Sequence, residues 1–439
     1  MKITIFGTGY VGLVSGTCLA EIGHDVICVD IDENKIQKLK QGIIPIYEPG
    51  LDELVKRNYK EKRLNFTTDA KMAIDHATAI FSAVGTPPDK ENAHKADLRF
   101  VKQISTTLGK NMNSYKVLIN KSTVPVGTGK ICQNIIKNEL QIRGKNIDFD
   151  IVSNPEFLRE GSAVWDFLNP DRIVCGVGNE ISKNIMEEIY APLKDKTQMI
   201  FTDIKSSEII KYAANAFLAT KISFINEMAN FCELSGGNIQ DVAKGIGSDI
   251  RIGKEFLEAG IGYGGSCFPK DIQALIETGK DFDYDFKIIK STHEVNQNQK
   301  TILVEKLKKL IDLKDKKIGI LGLAFKAKTD DIRDAASLDV IESLINLGVK
   351  NINVYDPVAI GNVKNYFSNE DIINYKENSY EVCEEIDALL ILTNWDEFKT
   401  LDLKKIKKSM IGDILIDGRN IYNHLEAKNI GFRYESIGR

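Results

Sequence analysis

Histidine is scarce, five in 439 residues, and the five are scattered without the short spacings that build a metal centre. Cysteine is nearly as sparse: seven, at positions 18, 28, 132, 175, 232, 267 and 383, odd in number and without a Cys-x-x-Cys pair. That pattern argues against a disulfide scaffold or a zinc ribbon, and a reducing, cytoplasmic setting is expected. No apolar run approaches the roughly 18 residues of a membrane span. The start, Met1-Lys2-Ile3-Thr4-Ile5-Phe6, enters a strand pattern rather than the long apolar core of a signal peptide. Neither sign of charge dominates: 58 basic against 62 acidic side chains give a formal net charge of −4, which leaves no electrostatic footprint for nucleic acid. What remains is 43% hydrophobic and 27% charged, an ordinary globular balance in a chain long enough for two or three domains.

The first 30 residues read strand, glycine turn, helix, strand: Ile3–Phe6, a small-residue helix over Val11–Ile22 closed by Gly23, then Val26–Val29. Further buried-type runs at Ala79–Val84, Val117–Asn120 and Asp150–Ser153 alternate with helical patterns, which indicates a parallel sheet covered on both faces. From Thr202 to about Phe231, apolar residues recur at helical spacing (Ile209, Ala213, Phe217, Ile225, Met228) and predict one long helix. A glycine-dense stretch follows, with 7 of the 33 glycines between 245 and 265. The charged stretch Lys306–Lys317 leads into a second α/β unit, with strands predicted at Lys317–Leu321, Ile352–Tyr355, Ala388–Thr393 and Ile414–Ile416. Its opening, Ile318–Phe325, echoes Ile3–Gly9, and both units end a second strand in an acid, Asp30 and Asp356.

Gly7-Thr8-Gly9-Tyr10-Val11-Gly12 is a GxGxxG directly after a strand and opening a helix. The glycines provide a tight turn, room for a pyrophosphate and close helix–strand packing, and the helix start offers free N–H groups to phosphate. Asp30, at the end of the second strand, is placed for a ribose diol and would repel a 2′-phosphate. Ile31 and Asp32 bring no compensating arginine, so NAD is expected rather than NADP. The expected fold is therefore α/β, two Rossmann-like open parallel-sheet domains joined by a long central helix, with segments 1–200, 201–300 and 301–439.

In Gly264-Gly265-Ser266-Cys267-Phe268-Pro269-Lys270-Asp271, Pro269 suits the first turn of a helix, so Cys267 stands just before a helix start and beside Lys270. Both influences favour a thiolate, while the other six cysteines read as small core residues. Lys211 and Asn215, four apart on the long helix, share a face. They are either a donor pair aimed at developing negative charge or a snorkelling surface pair, and periodicity leaves both readings open. Thr123, Glu156 and Glu160 follow the ends of predicted strands, where open parallel sheets bind ligands, although a single loop acid can equally be a solvated charge. Lys326, Lys328 and Arg333 near the second glycine segment could meet phosphates or form a solvated face. A two-electron hydroxy-acid dehydrogenase would share the NAD motif without needing a cysteine at a helix start. A non-catalytic NAD-sensing protein would need none of Lys211, Asn215 and Cys267.

Together the segments GTGYVGLV, Ala83-Val84-Gly85-Thr86-Pro87, Lys121–Thr128, NPEFLREG, Lys211–Phe217, GGSCFPKD and Gly322–Lys326 closely resemble the nucleotide-sugar 6-dehydrogenases, the UDP-glucose/GDP-mannose dehydrogenase family, nearly end to end. The resemblance implies an NAD domain, a central helix carrying a homodimer interface, a terminal domain for UDP, and twofold oxidation of a sugar at C6. No metal, nucleic acid or membrane is implied. It makes Cys267 the nucleophile, with Lys211, Asn215 and Asp271 assisting and Glu156 a candidate base for hydrolysis. Thr123 and Glu160 would lie near the nicotinamide, and Tyr10, Val11, Lys35, Thr86, Lys270 and Arg333 are further cofactor candidates. Phe157, Leu158, Arg251, Phe256, Gly264, Lys326 and Arg419 join Glu156, Lys211 and Asn215 as candidates for the sugar nucleotide. The Ala-Ala-Asn-Ala-Phe run and Phe268 look more like the branch acting on UDP-glucose than like those acting on UDP-N-acetylmannosamine or GDP-mannose.

Overall fold

The computed structural model of the chain describes residues 1–89, 92 and 94–439. Its first sheet contains β1 (Lys2–Phe6), β2 (Asp25–Val29), β3 (Leu64–Thr67), β4 (Ala79–Ser82), β5 (Lys116–Asn120), β6 (Phe149–Ser153), β7 (Arg172–Gly176) and β8 (Gln198–Thr202). They lie in the order β3-β2-β1-β4-β5-β6-β7-β8. Pairing is parallel except between β6 and β7, which meet antiparallel at Ser153 and Gly176. Strand side chains alternate between faces, and the alternation feeds two cores. Ile3, Ile5, Val26, Cys28, Phe81, Val117 and Ile119 enter one, and Phe6, Ile27, Val29, Ile80 and Leu118 the other. Burial on both faces is why the central strands are continuous apolar runs rather than alternating ones.

The second sheet is wholly parallel: β9 (Lys317–Leu321), β10 (Asn351–Tyr355), β11 (Ile373–Tyr375), β12 (Ala388–Ile391), β13 (Ile414–Asp417) and β14 (Arg433–Ser436), in the order β11-β10-β9-β12-β13-β14. Counted from its first strand, the second sheet runs 3-2-1-4-5-6, the order of dinucleotide-binding sheets, and the first sheet runs the same way before adding β7 and β8 at one edge. The long helix forms as its apolar spacing requires, over Ile204–Ser235. The chain divides into two compact units, residues 1–214 with 273–283 and residues 215–272 with 284–439. No helix among the described residues is long and apolar enough to cross a membrane.

Candidate active site

In the first unit β1 is followed by Gly7, whose φ of +100° is open to glycine at little cost. A Cβ there would sit 2.6 Å from the Ala83 carbonyl oxygen, and one on Gly12 would overlap the Gly7 carbonyl oxygen. These two glycines therefore hold turn, helix and strand together. Gly9 differs: a Cβ on it would meet nothing within 4 Å. It precedes the helix Tyr10–Glu21, which has no side-chain cap and no acid in its first turn. Open space in front of uncapped N–H groups fits a pyrophosphate. Asp30 accepts from the Thr8 amide (3.0 Å), the Thr8 hydroxyl (2.6 Å), Lys35 Nζ (3.0 Å) and the Asp32 amide (3.2 Å). Burial works against its charge, but the hydrogen bonds from Thr8, then those from Lys35 and the Asp32 amide, outweigh it and hold the carboxyl at about 2. Its side chain keeps 14% of its surface, room for a ribose diol. The residues present thus fit NAD.

Around this cradle the loops that follow the strands are cross-linked. Thr86 donates to the Thr123 carbonyl at 3.0 Å, joining the turns after β4 and β5. The Tyr10 hydroxyl donates to Glu48, whose carboxylate also accepts from the Gly161 amide (2.7 Å) and the Ala163 amide (2.8 Å). Tyr10 is thereby tied to the segment that carries Glu160. Glu156 and Lys211 are both buried and meet at 3.3 Å, and the other Glu156 oxygen accepts from the Leu158 amide at 2.6 Å. The Phe157 ring faces two cations, Lys211 Nζ at 5.3 Å and the Arg172 guanidinium at 4.0 Å. Lys211 is therefore a buried, paired ammonium and not a snorkelling surface residue.

In the second unit the helix Phe268–Lys280 begins where Pro269 requires it, and the Asp271 amide donates to the Cys267 carbonyl at 2.9 Å. Cys267 is thus the residue that opens the helix, with its Sγ 3.6 Å from the Ser266 hydroxyl. It is partly exposed, whereas the other six cysteines are buried. Burial pushes the thiols of Cys28, Cys175 and Cys383 up to about 12. Asp271 is buried and accepts from Asn215 Nδ2 and from Lys270 Nζ, each at 2.7 Å. Lys270 is thus paired with Asp271.

The glycine-dense loop before Cys267 packs on the segment after β9. The Gly265 amide donates to the Arg333 carbonyl at 2.7 Å, a Cβ on Gly265 would lie 2.8 Å from the Phe325 ring, and one on Gly264 would overlap the Asp334 carbonyl. Lys326 Nζ lies 5.5 Å from the Phe325 ring centre. Arg419 donates to the carbonyls of Leu392 (2.7 Å) and Phe325 (3.2 Å) and has no carboxylate in ion-pair range among the described residues. Burial lowers its pKa only to about 10, so it stays charged at neutral pH. A partly buried cation bonded to neutral carbonyls suits a diphosphate. Phe256 has a left-handed backbone, φ +64°, and its ring lies 6.3 Å from that of Phe268. Arg251 is exposed and grips Asp249 (2.5–3.1 Å), and Arg333 grips Asp331 (2.7–2.8 Å). Sequence reasoning missed Glu48 and the buried Lys121, whose partners lie far away along the chain. No cluster of metal-ligating side chains occurs among the described residues.

Comparison with known proteins covers the whole chain. Residues 1–194 match the NAD binding domain of the UDP-glucose/GDP-mannose dehydrogenase family, 205–298 its central domain and 319–424 its UDP binding domain. The UDP-glucose 6-dehydrogenase TuaD of Bacillus subtilis (strain 168) is 48% identical over 439 residues, all of this chain and 93% of the relative. That of Rhizobium meliloti (strain 1021) is 47% identical over 444 residues, all of both chains. Among solved structures, a UDP-glucose dehydrogenase from Pyrobaculum islandicum superposes with a TM-score of 0.90 at 33% identity, covering 99% of this chain and 96% of its own. A UDP-D-ManNAc dehydrogenase from Pyrococcus horikoshii gives 0.86 at 28%, covering 100% and 99%.

Proposed function

Because the chain belongs to the UDP-glucose/GDP-mannose dehydrogenase family, we propose that it oxidises UDP-glucose twice at C6, to UDP-glucuronate, as a cytoplasmic homodimer. Its organisation is read as an NAD domain (1–200), a central helical segment (201–300) and a UDP-sugar domain (301–439). The helix opened by Gly9, with Asp30, holds NAD, which when bound accepts one hydride in each oxidation. Asp271, or a water it holds, takes the proton of the C6 hydroxyl. The Cys267 sulfur adds to the aldehyde carbon while Lys211 and Asn215 donate to the oxygen as it gains charge, and the product is a thiohemiacetal. Once that carbon is a thioester, water attacks it with Glu156 as base, the C–S bond breaks and the thiol recovers its proton. One alcohol and one water thus become a carboxylate with the loss of two hydrides. Covalent capture keeps the aldehyde in place between the two oxidations.

The observation that carries this reading is Cys267: of seven cysteines it alone is not buried, and it opens the helix whose first turn bears the Asn215-bonded Asp271. Identities of 43–48% over the full chain to UDP-glucose 6-dehydrogenases support the glucose substrate. The homodimer is supported by exposed Phe217, Phe224 and Phe231, seven apart along one stripe of the long helix, with Leu234 beside them. Free thiols in all seven cysteines support a reducing compartment. In a panel of UDP-glucose, UDP-N-acetylmannosamine and GDP-mannose, two NADH should form per UDP-glucose. The Cys267→Ala variant should bind NAD and UDP-glucose but form no uronate. One NADH per sugar, or substantial acid from that variant, removes the thiol from the mechanism.

A further inference from the structure

Lys121, the first residue past β5, is buried, and its ammonium has no carboxylate within ion-pair range among the described residues. Its three protons instead face three neutral acceptors: Asn154 Oδ1 at 3.1 Å, the Asn154 carbonyl at 3.4 Å and the Tyr190 hydroxyl at 3.4 Å. Burying a cation among neutral groups is costly, and an apolar side chain of similar length would fill the same space without that cost. Asn154, which Lys121 grips, is fixed on every side. Its amide donates to the Asn120 carbonyl (2.8 Å), its Nδ2 to the Val174 carbonyl (2.8 Å), and its Oδ1 accepts from Tyr190 (2.6 Å). Pro155 follows, stiff at φ, and Glu156 comes next, already held by Lys211 and the Leu158 amide. Two residues beyond Lys121 in the other direction stands Thr123. One buried charge therefore ties together the two turns that carry Thr123 and Glu156.

We propose that Lys121 is a positioning residue for the hydrolytic half of the reaction: it clamps the Asn154–Pro155–Glu156 turn and adds a second cation, besides Lys211, to the surroundings of the Glu156 carboxylate. The proposal rests on the reading of Glu156 as the base. Burial lowers the pKa of Lys121 to about 8, with the charge of Glu156 the main opposing influence, so the ammonium is still largely protonated at neutral pH. The groups facing Lys121 are Glu156, Lys211, the Cys175 thiol and the Tyr190 hydroxyl; those facing Glu156 are Lys211, Lys121 and the Leu158 amide. Removing a cation from the surroundings of a carboxylate disfavours its charged form.

The test uses the full-length protein with NAD and UDP-glucose, comparing wild type, Lys121→Met and Lys121→Arg. In Lys121→Met the pre-steady-state burst of two NADH per site should persist and the KM for UDP-glucose should stay within about twofold. Steady-state turnover should fall roughly tenfold, with acid-stable thioester accumulating. The acid limb of kcat should move up by about one pH unit, and Lys121→Arg should return it to the wild-type position. Tyr190→Phe removes one acceptor of the ammonium and leaves the ring, so it should repeat the hydrolysis defect in smaller measure should Lys121→Met not fold. An unmoved acid limb, or equal slowing of burst and turnover, makes Lys121 merely structural and overturns the proposal. Failure of the wild type itself to form uronate would strike the proposed function instead.

Discussion

The two sheets share the order of six strands, a positive-φ glycine after the first strand (Gly7 at +100°, Gly322 at +95°) and an acid after the second strand, yet they match domains that bind different ligands. In the first unit the helix begins at Tyr10, three residues past Gly7, so its N–H groups stand at the strand end. In the second the next helix begins at Ala336, fourteen residues past Gly322, and the intervening segment packs instead against Gly264 and Gly265. The acids diverge in the same way. Asp30 keeps a face for a ligand, whereas Asp356 is 1% exposed. Its oxygens are filled by the amides of Leu323, Ala324, Val358 and Ala359 and by Trp395 Nε1, at 2.8–3.2 Å. Topology brings an acid to that point in both sheets, and the short or long path from strand to helix goes with an open face on Asp30 and a stapled loop at Asp356.

The comparison breaks most visibly at the glycines. Gly12→Ala would drive a Cβ into the Gly7 carbonyl, and Gly322→Ala would drive one into Thr393 from a left-handed backbone. Each should cost its own unit roughly 3 kcal/mol or more. Limited proteolysis should cut the first unit in one variant and the second in the other, and a single common pattern would mean that the units do not unfold separately. Next in size is Asp356→Asn. An amide nitrogen cannot accept the bonds the carboxylate receives, so about 2–4 kcal/mol should be lost in urea titrations, with the KM for NAD unchanged. A raised KM for NAD with intact stability would give Asp356 a ligand role and erase the distinction drawn between the two acids.

These differences also mark what the sequence could disclose. Continuous apolar runs exposed the buried strands β1, β2, β4 and β5, and local glycine spacing exposed the cofactor turn, since both signals are carried by neighbours along the chain. Five strands have no counterpart in the sequence reading. β3 alternates in burial, β8 is partly exposed throughout, β11 is three residues long and β14 reads Arg-Tyr-Glu-Ser; only the Ile173-Val174-Cys175 run of β7 was open to recognition. The antiparallel turn between β6 and β7 had no local signal either. At the site, Cys267 was legible from proline and glycine around it. Glu48 was not, because its partners at Gly161 and Ala163 are 113 and 115 residues away. Nor was the attachment of Lys270 to its neighbour Asp271, since a lysine at a helix start has several directions open to it.

The smallest effect sharpens the comparison most. Asp30→Asn should raise the KM for NAD about tenfold, the scale of a lost hydrogen bond to a charged acceptor, and should lower stability at neutral pH by less than Asp356→Asn does. Its pH dependence is nevertheless specific. The folded carboxyl titrates at about 2 against an ordinary 3.8, so the stability it contributes is fully present above the ordinary value. That contribution fades as pH falls toward 2, because protonation removes the charge that the bonds from Thr8 and Lys35 stabilise. The gap in urea midpoint between wild type and Asp30→Asn should therefore hold from pH 7 to about pH 4 and narrow below it. A gap that narrowed already near neutral pH would mean that the Thr8 bonds do not hold the charge. The exposed oxygen face would then owe nothing to the turn, and the first acid would differ from the second only in how much protein happens to cover it.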